Sequence, residues 1–149
     1  MDEIYDAHGI RFRYPAFWEL NEEEAANERT ITVSSPETSF WSLTIADDKP
    51  PPEDMVESAV SALREEYDEL DDYSSHVKLA GPDSVARDVE FVCLEMLNSA
   101  FLRAVSTDEF SALIYYQGTD LELAETRAIL ESISSSLQFE GHEIFSDER

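Results

Sequence analysis

The chain is poor in cysteine, in glycine and above all in basic residues. Its 149 residues include a single cysteine, so no intramolecular disulfide can form. That cysteine, Cys93, lies in the apolar run Val89-Glu90-Phe91-Val92-Cys93-Leu94, and we expect it to be a small buried hydrophobic side chain. The first residues, Met1 to Asp6, are acidic and lack the apolar core of a secretory signal, and no later segment resembles a membrane span. These absences favour a cytoplasmic protein.

The chain has only four glycines and three histidines, and their positions argue against several kinds of chemical site. No glycine falls within the acid-rich stretch from Glu65 to Asp72, so this stretch lacks the mid-loop turn of an EF-hand. The chain also has no Gly-x-Ser-x-Gly elbow, phosphate loop or dinucleotide fingerprint. His8, His76 and His142 lack metal-ligand spacing, and we expect them on the surface. We therefore predict no catalytic, cofactor-binding or metal-binding residue, although a Ser-His-Asp triad is recognised by geometry and not by sequence.

Acidic residues dominate the charge. The chain has 34 Asp and Glu against 10 Lys and Arg, which gives a formal net charge of −24 and a pI near 4.1. A field of this sign repels nucleic acid and anionic lipid, so the partner that the charge favours is a protein with a basic surface. The stretch from Glu53 to Asp72 contains nine acids and only one base, Arg64.

We interpret part of this stretch as a protein-docking surface formed by Glu57, Glu65, Glu66, Asp68, Glu69, Asp71 and Asp72. The alternative is a solvated face that only promotes solubility, because runs of charge commonly have that role.

Four arginines lie on predicted strands: Arg11, Arg13, Arg87 and Arg103. If alternation along the strands brings several of them together, they form an anion site. Pairing with the abundant Asp and Glu of neighbouring strands is the favoured interpretation, because acids outnumber bases more than threefold.

Seven segments have the alternation or the apolar runs of β-strands. They are residues 9–15, 28–35, 39–47, 73–80, 85–96, 100–106 and 110–117. Short connections, among them Ser35-Pro36-Glu37-Thr38, Gly81-Pro82-Asp83 and a turn near Asn98-Ser99, indicate antiparallel pairing.

Two amphipathic helices are predicted, one between the third and fourth strands and one after the last strand. The first begins at Pro52, and its apolar stripe runs from Met55 to Leu70 opposite the acids. The second begins with Thr119-Asp120-Leu121-Glu122, which has the form of a capping box, and buries apolar residues up to Leu137. The predicted order is βββ-α-ββββ-α, an α+β fold in one domain of residues 1–149, with a flexible leader (1–8) and tail (140–149).

The motif Gly9-Ile10-x-Phe12-x-Tyr14-Pro15-x-x-Trp18, the proline-led first helix, the meander of long strands and the closing Ser134-Ser135-Ser136-Leu137-Gln138-Phe139 form a recognisable combination. It resembles the PsbP-like α/β/α sandwich superfamily, which includes the photosystem II extrinsic protein, a Ran-binding nuclear import factor and bacterial secretion chaperones. The resemblance implies an antiparallel sheet of about seven strands with two main helices, and a role in binding proteins.

The function predicted from these observations is a cytoplasmic protein-binding or chaperone-like module with an acidic face. Two alternatives remain open: a small-molecule binder or hydrolase with a cleft between sheet and helix, and an acidic immunity-type protein that blocks a basic toxin. A chaperone would need exposed aromatic side chains; Phe17, Trp18, Phe40 and Trp41 are candidates, but we expect the core to contain them.

Overall fold

The computed structural model describes residues 1–78, 83–140 and 144–145, with the backbone alone for 76–78, 83 and 144–145. In chain order, the elements are β1 (Asp2–Ala7), β2 (Ile10–Pro15), β3 (Glu19–Ala25), β4 (Glu28–Ser34), β5 (Phe40–Ala46), α1 (Pro52–Glu66), β6 (Leu70–Lys78), β7 (Asp83–Cys93), β8 (Met96–Thr107), β9 (Ser111–Thr119), α2 (Asp120–Ser136), β10 (Gln138–Phe139) and β11 (Ile144–Phe145). Within these residues, neither helix is long and apolar enough to cross a membrane.

The strands form two antiparallel sheets. The main sheet has the order β3-β4-β5-β9-β8-β7-β6, and β11 adds a short pairing at the end of β8. The small sheet has the order β1-β2-β10. The predicted α+β fold, with about seven antiparallel strands and two helices, is therefore confirmed. The membership of the main sheet differs from the prediction, because the opening strand β2 belongs to the small sheet and β3 takes its place.

The main sheet has a layer on each face. On one face, α1 buries Val56, Val60 and Leu63 against alternate side chains of β7 and β8, such as Phe91 and Leu102. On the other face, α2 and the small sheet form a second core whose largest members include Phe12, Trp41, Ile114 and Leu130. Alternation along a strand directs neighbouring residues to opposite faces, so β8 contributes to both cores.

The main sheet and the core contain three of the four aromatic side chains considered as candidates for an exposed groove. Trp41 is fully buried, Trp18 is buried, and Phe40 stacks on Tyr115 with ring centroids 5.8 Å apart. Phe17 is the exception, because 71% of it is exposed in the turn after β2.

Four strands were not predicted from sequence: β1, β3 and the two-residue strands β10 and β11. Residues 2–7, expected to be a flexible leader, form β1 and pair along their whole length with β2. Tyr5 of β1 anchors the strand, because its hydroxyl donates to Glu22 Oε1 at 2.7 Å while its ring stacks on Phe12. The acid-rich β3 forms because it pairs in register with β4, where Arg29 forms ion pairs with Glu22 and Glu24. Cross-strand pairing thus overrides the poor β-propensity of glutamate.

The β7–β8 connection also differs from the prediction. The turn is Leu94-Glu95, not Asn98-Ser99, and both turn residues have positive φ, 53° and 65°. Leu94 is 90% exposed, so the run around it is not buried on both faces. Cys93 is only partly buried, at the edge of the α1 core. The predicted Gly81-Pro82-Asp83 turn lies almost wholly outside the described residues, as does most of the predicted flexible tail.

Helix α1 ends earlier than its apolar stripe suggests. The backbone turns extended at Tyr67, with φ −122° and ψ 123°, and the Tyr67 ring stacks on Phe91 at 4.4 Å between centroids. Tyr67 packs its ring on the sheet although its backbone is extended. The apolar stripe therefore continues beyond the end of the helix. Helix α2 begins as predicted, with the Thr119 side chain accepting a hydrogen bond from the Glu122 backbone N–H.

Candidate functional site

The structure separates the seven acids of the predicted docking surface into three groups. Glu57, Glu65 and Glu66 lie on α1, Asp68 and Glu69 lie in the turn that follows, and Asp71 and Asp72 lie on β6. All of them are exposed except Asp72, which is half-buried. We call these seven residues, which form the predicted docking surface, the acidic surface.

Two members of the acidic surface are neutralised locally. Arg87, on β7 beneath α1, forms ion pairs with Glu57 and, at 2.9 Å, with Asp72 Oδ2. Arg64 forms a further ion pair with Asp72 Oδ1 at 3.0 Å. Burial would lower the pKa of Arg87, but its hydrogen bonds to Asp72 and Glu57 outweigh burial and raise it. The carboxylates of Glu57 and Asp72 are therefore held in ion pairs and are not free to bind a partner's charge.

The other five acids have no ion pair with any described residue: Glu65, Glu66, Asp68, Glu69 and Asp71. Four of these lie together at the end of α1 and in its turn. Asp71 lies on the opposite face of the sheet, because it is paired with Glu90 in the β6–β7 register while Asp72 is paired with Val89. The structure thus brings four predicted residues into one unneutralised patch and directs the fifth elsewhere.

A second feature, not predicted residue by residue, is an open groove of about 470 Å³ on the α2 face of the main sheet. It is lined by residues of α2 and of strands β6–β8. Its lining includes Tyr73, Asp88, Glu90, Ser99, Phe101, Asp120 and Arg127.

The groove has an aromatic floor under a cation. Arg127 of α2 places its Cζ 4.7 Å from the centroid of the Phe101 ring, and Phe101 in turn stacks on Tyr116 at 4.9 Å. Arg127 Nε contacts Glu131 at 3.3 Å. Burial raises the pKa of Tyr116 to about 12, so this phenol stays neutral.

The carboxylates of the groove are positioned by hydroxyl groups and by one buried arginine. Ser99 Oγ donates to Asp120 Oδ1 at 2.7 Å, and a hydrogen bond to Glu90 raises the pKa of Tyr73. Buried Arg103 donates from Nη1 to Asp88 Oδ1 at 2.7 Å, while its Nε has no hydrogen-bond partner in the described part of the chain.

Sequence reasoning missed the groove because its residues come from four separate elements. Only the β6–β7 and β7–β8 registers and the position of α2 bring them together. The available signal was the alternation on β7, where Asp88 and Glu90 share one face; it does not indicate what covers that face.

The predicted absence of a metal site remains a prediction. The described residues contain no cluster of three or more potential metal ligands. His8 is exposed and contacts Arg29 Nη1 at 2.9 Å, whereas the side chains of His76 and His142 lie outside the described residues.

No family model matches the chain, and no curated protein matches it. Solved structures do resemble it. Cyanobacterial PsbP (CyanoP) from Synechocystis matches with a TM-score of 0.60 and 13% identity, over 93% of this chain and 92% of that chain. LpqN of Mycobacterium tuberculosis, described as involved in cell envelope biogenesis, matches with a TM-score of 0.55 and 13% identity, over 93% and 90%. A Bacteroides thetaiotaomicron protein matches with a TM-score of 0.60 and 12% identity, over 93% of this chain and 47% of its own.

These similarities establish the PsbP-like fold that the sequence resemblance predicted. At such identities they establish the fold alone, and the function must be argued from the surface of this chain.

Proposed function

We propose that this PsbP-like domain is a cytoplasmic protein-binding module that docks a basic partner on its acidic surface. The observation that carries the proposal is the patch of Glu65, Glu66, Asp68 and Glu69, four exposed carboxylates without an ion pair among the described residues. Exposed charges of one sign speed the encounter with an oppositely charged protein and select against partners of the same charge.

The position of the patch supports this proposal. It lies where α1 ends and β6 begins, and α1 is held against the sheet by the buried Val56, Val60 and Leu63. The Arg87 network ties the same helix to β6 and β7 through Glu57 and Asp72. A rigid support of this kind keeps the carboxylates in place before the partner arrives, which lowers the entropic cost of binding.

The test is a pair of charge-reversal variants. In the first, the four patch acids are changed to lysine: Glu65→Lys, Glu66→Lys, Asp68→Lys and Glu69→Lys. In the control, four exposed acids outside the surface are changed: Glu19→Lys, Glu23→Lys, Glu37→Lys and Glu125→Lys. Each set moves the formal net charge from −24 by +8 to −16, so the two variants differ in the location of the charge and not in its total.

Affinity capture from a lysate of the source cells, at low and moderate salt, compares the three proteins. We expect the native and control proteins to retain the same partner and the patch variant to lose it, with weaker retention at higher salt. Equal retention by all three proteins would refute docking on the acidic surface. Each patch substitution should change the free energy of unfolding by about 0.5 kcal/mol or less, because the four residues are exposed and form no ion pair with a described residue.

The second candidate function is small-molecule binding in the groove, which is favoured by its location between sheet and helix and its volume of about 470 Å³. Changing Arg127→Gln removes the nearer of two cations over Phe101, since Arg103 Cζ also lies 5.8 Å from the ring centroid. A screen of charged metabolites by thermal shift should then show ligands of the native protein that fail to stabilise this variant. The absence of any such ligand would leave the acidic surface as the functional feature.

A further inference from the structure

The arginines of this chain fall into two classes. Five of the seven described arginines lie within 4.0 Å of a carboxylate: Arg29, Arg64, Arg87, Arg103 and Arg127. The favoured interpretation from sequence, pairing with acids, is thus confirmed for Arg87 and Arg103. Arg11 and Arg13 have no ion pair with any described residue, although acids outnumber bases by 34 to 10.

These two arginines share one face of the small sheet. Residues i and i+2 of a strand point to the same side with their Cα atoms about 6.7 Å apart. The intervening Phe12 is fully buried, and Arg11 and Arg13 are exposed on the outer face. Gln138 of β10 lies directly opposite Arg11, which places a side-chain amide beside the two guanidinium groups.

The same side chains line a depression of about 290 Å³ between β2 and the end of α2. Its other walls are Ser135 and Ser136, whose hydroxyls donate to backbone carbonyls of α2. Ser136 Oγ also accepts a hydrogen bond of 2.9 Å from the Arg13 backbone N–H. This contact fixes β2 against the helix, so the backbone under Arg13 is held in place.

The nearest acid in the register is Asp6 of β1, which lies opposite Arg11, while Ile4 lies opposite Arg13. Asp6 forms no ion pair with Arg11. Asp2, two residues from Ile4 on the same face, lines a neighbouring pocket with Arg13. Since charges separated by more than about 8 Å are screened at physiological salt, a ligand in the depression senses the two arginines, Asp2 and Asp6 more than the net charge of the chain.

We propose that Arg11 and Arg13, with Gln138, form a binding site for a tetrahedral oxyanion, a phosphate or sulfate group. Each guanidinium presents a planar fork of N–H donors that matches two oxygens of such a group. Two forks engage a tetrahedral anion on two sides, whereas a carboxylate has only enough oxygens for one. The site lies on the opposite side of the main sheet from α1, so it is independent of the patch formed by Glu65, Glu66, Asp68 and Glu69.

The test is a titration of the ¹⁵N-labelled protein with inorganic phosphate, sulfate or acetate at constant ionic strength, followed through the arginine Nε–H signals. We expect phosphate and sulfate to shift the Arg11 and Arg13 signals along a saturating curve, with acetate about tenfold weaker. The Arg64 signal serves as an internal control, because Arg64 is also exposed but is paired with Asp72. Equal, non-saturating shifts with all three anions, or equal shifts at Arg64, would overturn the proposal.

Variants separate binding from folding. Arg13→Gln should weaken phosphate binding about tenfold or more, and Arg64→Gln should leave it unchanged. Arg13→Lys keeps the charge but loses the fork, so it should bind more weakly than the native protein while folding normally. Native binding by Arg13→Lys would contradict the proposed geometry. A further titration with phosphoserine identifies the source: binding as tight as that of phosphate indicates a phosphomonoester group, and weaker binding indicates a free oxyanion.

Discussion

Glu122 connects helix α2 to the β4–β5 hairpin, and its removal gives a quantitative test of the structure. Its Oε2 accepts a hydrogen bond from Ser35 Oγ at 2.9 Å, and its Oε1 accepts one from the Thr38 backbone N–H at 2.9 Å and another from the Thr38 hydroxyl. The glutamate of the predicted capping box is thus used for a tertiary contact, while the Thr119 side chain caps the helix. Glu122 also lies in the first turn of α2, where the helix dipole favours a negative charge.

We expect Glu122→Gln to lower the free energy of unfolding by roughly 1.5 kcal/mol at pH 7. A hydrogen bond to a charged group contributes about 1.5–3 kcal/mol when buried, so three such bonds set an upper limit. The expected loss is smaller for two reasons. Glutamine keeps one acceptor oxygen, and the exposed Thr38 can donate to water instead.

The dependence of this loss on pH follows from the pKa of Glu122. Burial alone would raise that pKa, but the hydrogen bonds from Thr38 and Ser35 outweigh burial and lower it below 4.5. A carboxylate with a lowered pKa stabilises the fold at pH values above its unfolded pKa, and the contribution disappears as the pH falls through the folded pKa. The native protein and Glu122→Gln should therefore converge in stability as the pH falls below the folded pKa of Glu122.

Urea unfolding at pH 7 and at low pH measures both quantities. Glu125→Gln is the matched control, since Glu125 is an exposed glutamate one turn further along the same helix. A loss that is the same at both pH values, or as large for the control, would refute the assignment of Glu122 as a charged tertiary contact.

Two further predictions concern backbone and packing. Leu94→Asn combined with Glu95→Gly should stabilise the protein by about 1–2 kcal/mol, because both turn residues have positive φ and Asn-Gly is the preferred pair in such two-residue hairpin turns; urea unfolding checks this, and an unchanged midpoint would contradict it. Gly118→Ala should destabilise by about 1–3 kcal/mol, because the added Cβ would lie 2.6 Å from the Ser39 hydroxyl oxygen; a thermal melt equal to that of the native protein would show that this contact relaxes freely.

The fold carries two separate charged regions, one acidic and one formed by two arginines. The patch of Glu65, Glu66, Asp68 and Glu69 and the arginine pair lie on opposite sides of the main sheet, and each has charges without an ion pair in the described residues. Because α1 covers one face while α2 and the small sheet cover the other, the two proposals can be tested by separate variants without disturbing a common core.

Local patterns in the sequence were sufficient to predict which side chains of an element are buried. Alternation predicted a strand over residues 9–15, in which Ile10 and Phe12 are buried and Arg11 and Arg13 are exposed. The helical spacing predicted an apolar stripe on α1, which contains the buried Val56, Val60 and Leu63. Thr119 was identified as the helix cap from its neighbours alone. These features depend on residues within one or two turns of each other, so the period of the pattern is sufficient to read them.

Which strands and helices lie next to each other depends on the tertiary structure. Strand β3 is acidic and forms because β4 supplies partners in register. The groove exists because residues of α2 and of strands β6–β8 meet on one face of the main sheet. Register also decided that Asp72 and not Asp71 faces α1, and that Arg103 finds a carboxylate whereas Arg13 does not. Such outcomes depend on residues far apart in the chain, whose alignment follows from the pairing of strands and the packing of layers and is not encoded in any local pattern.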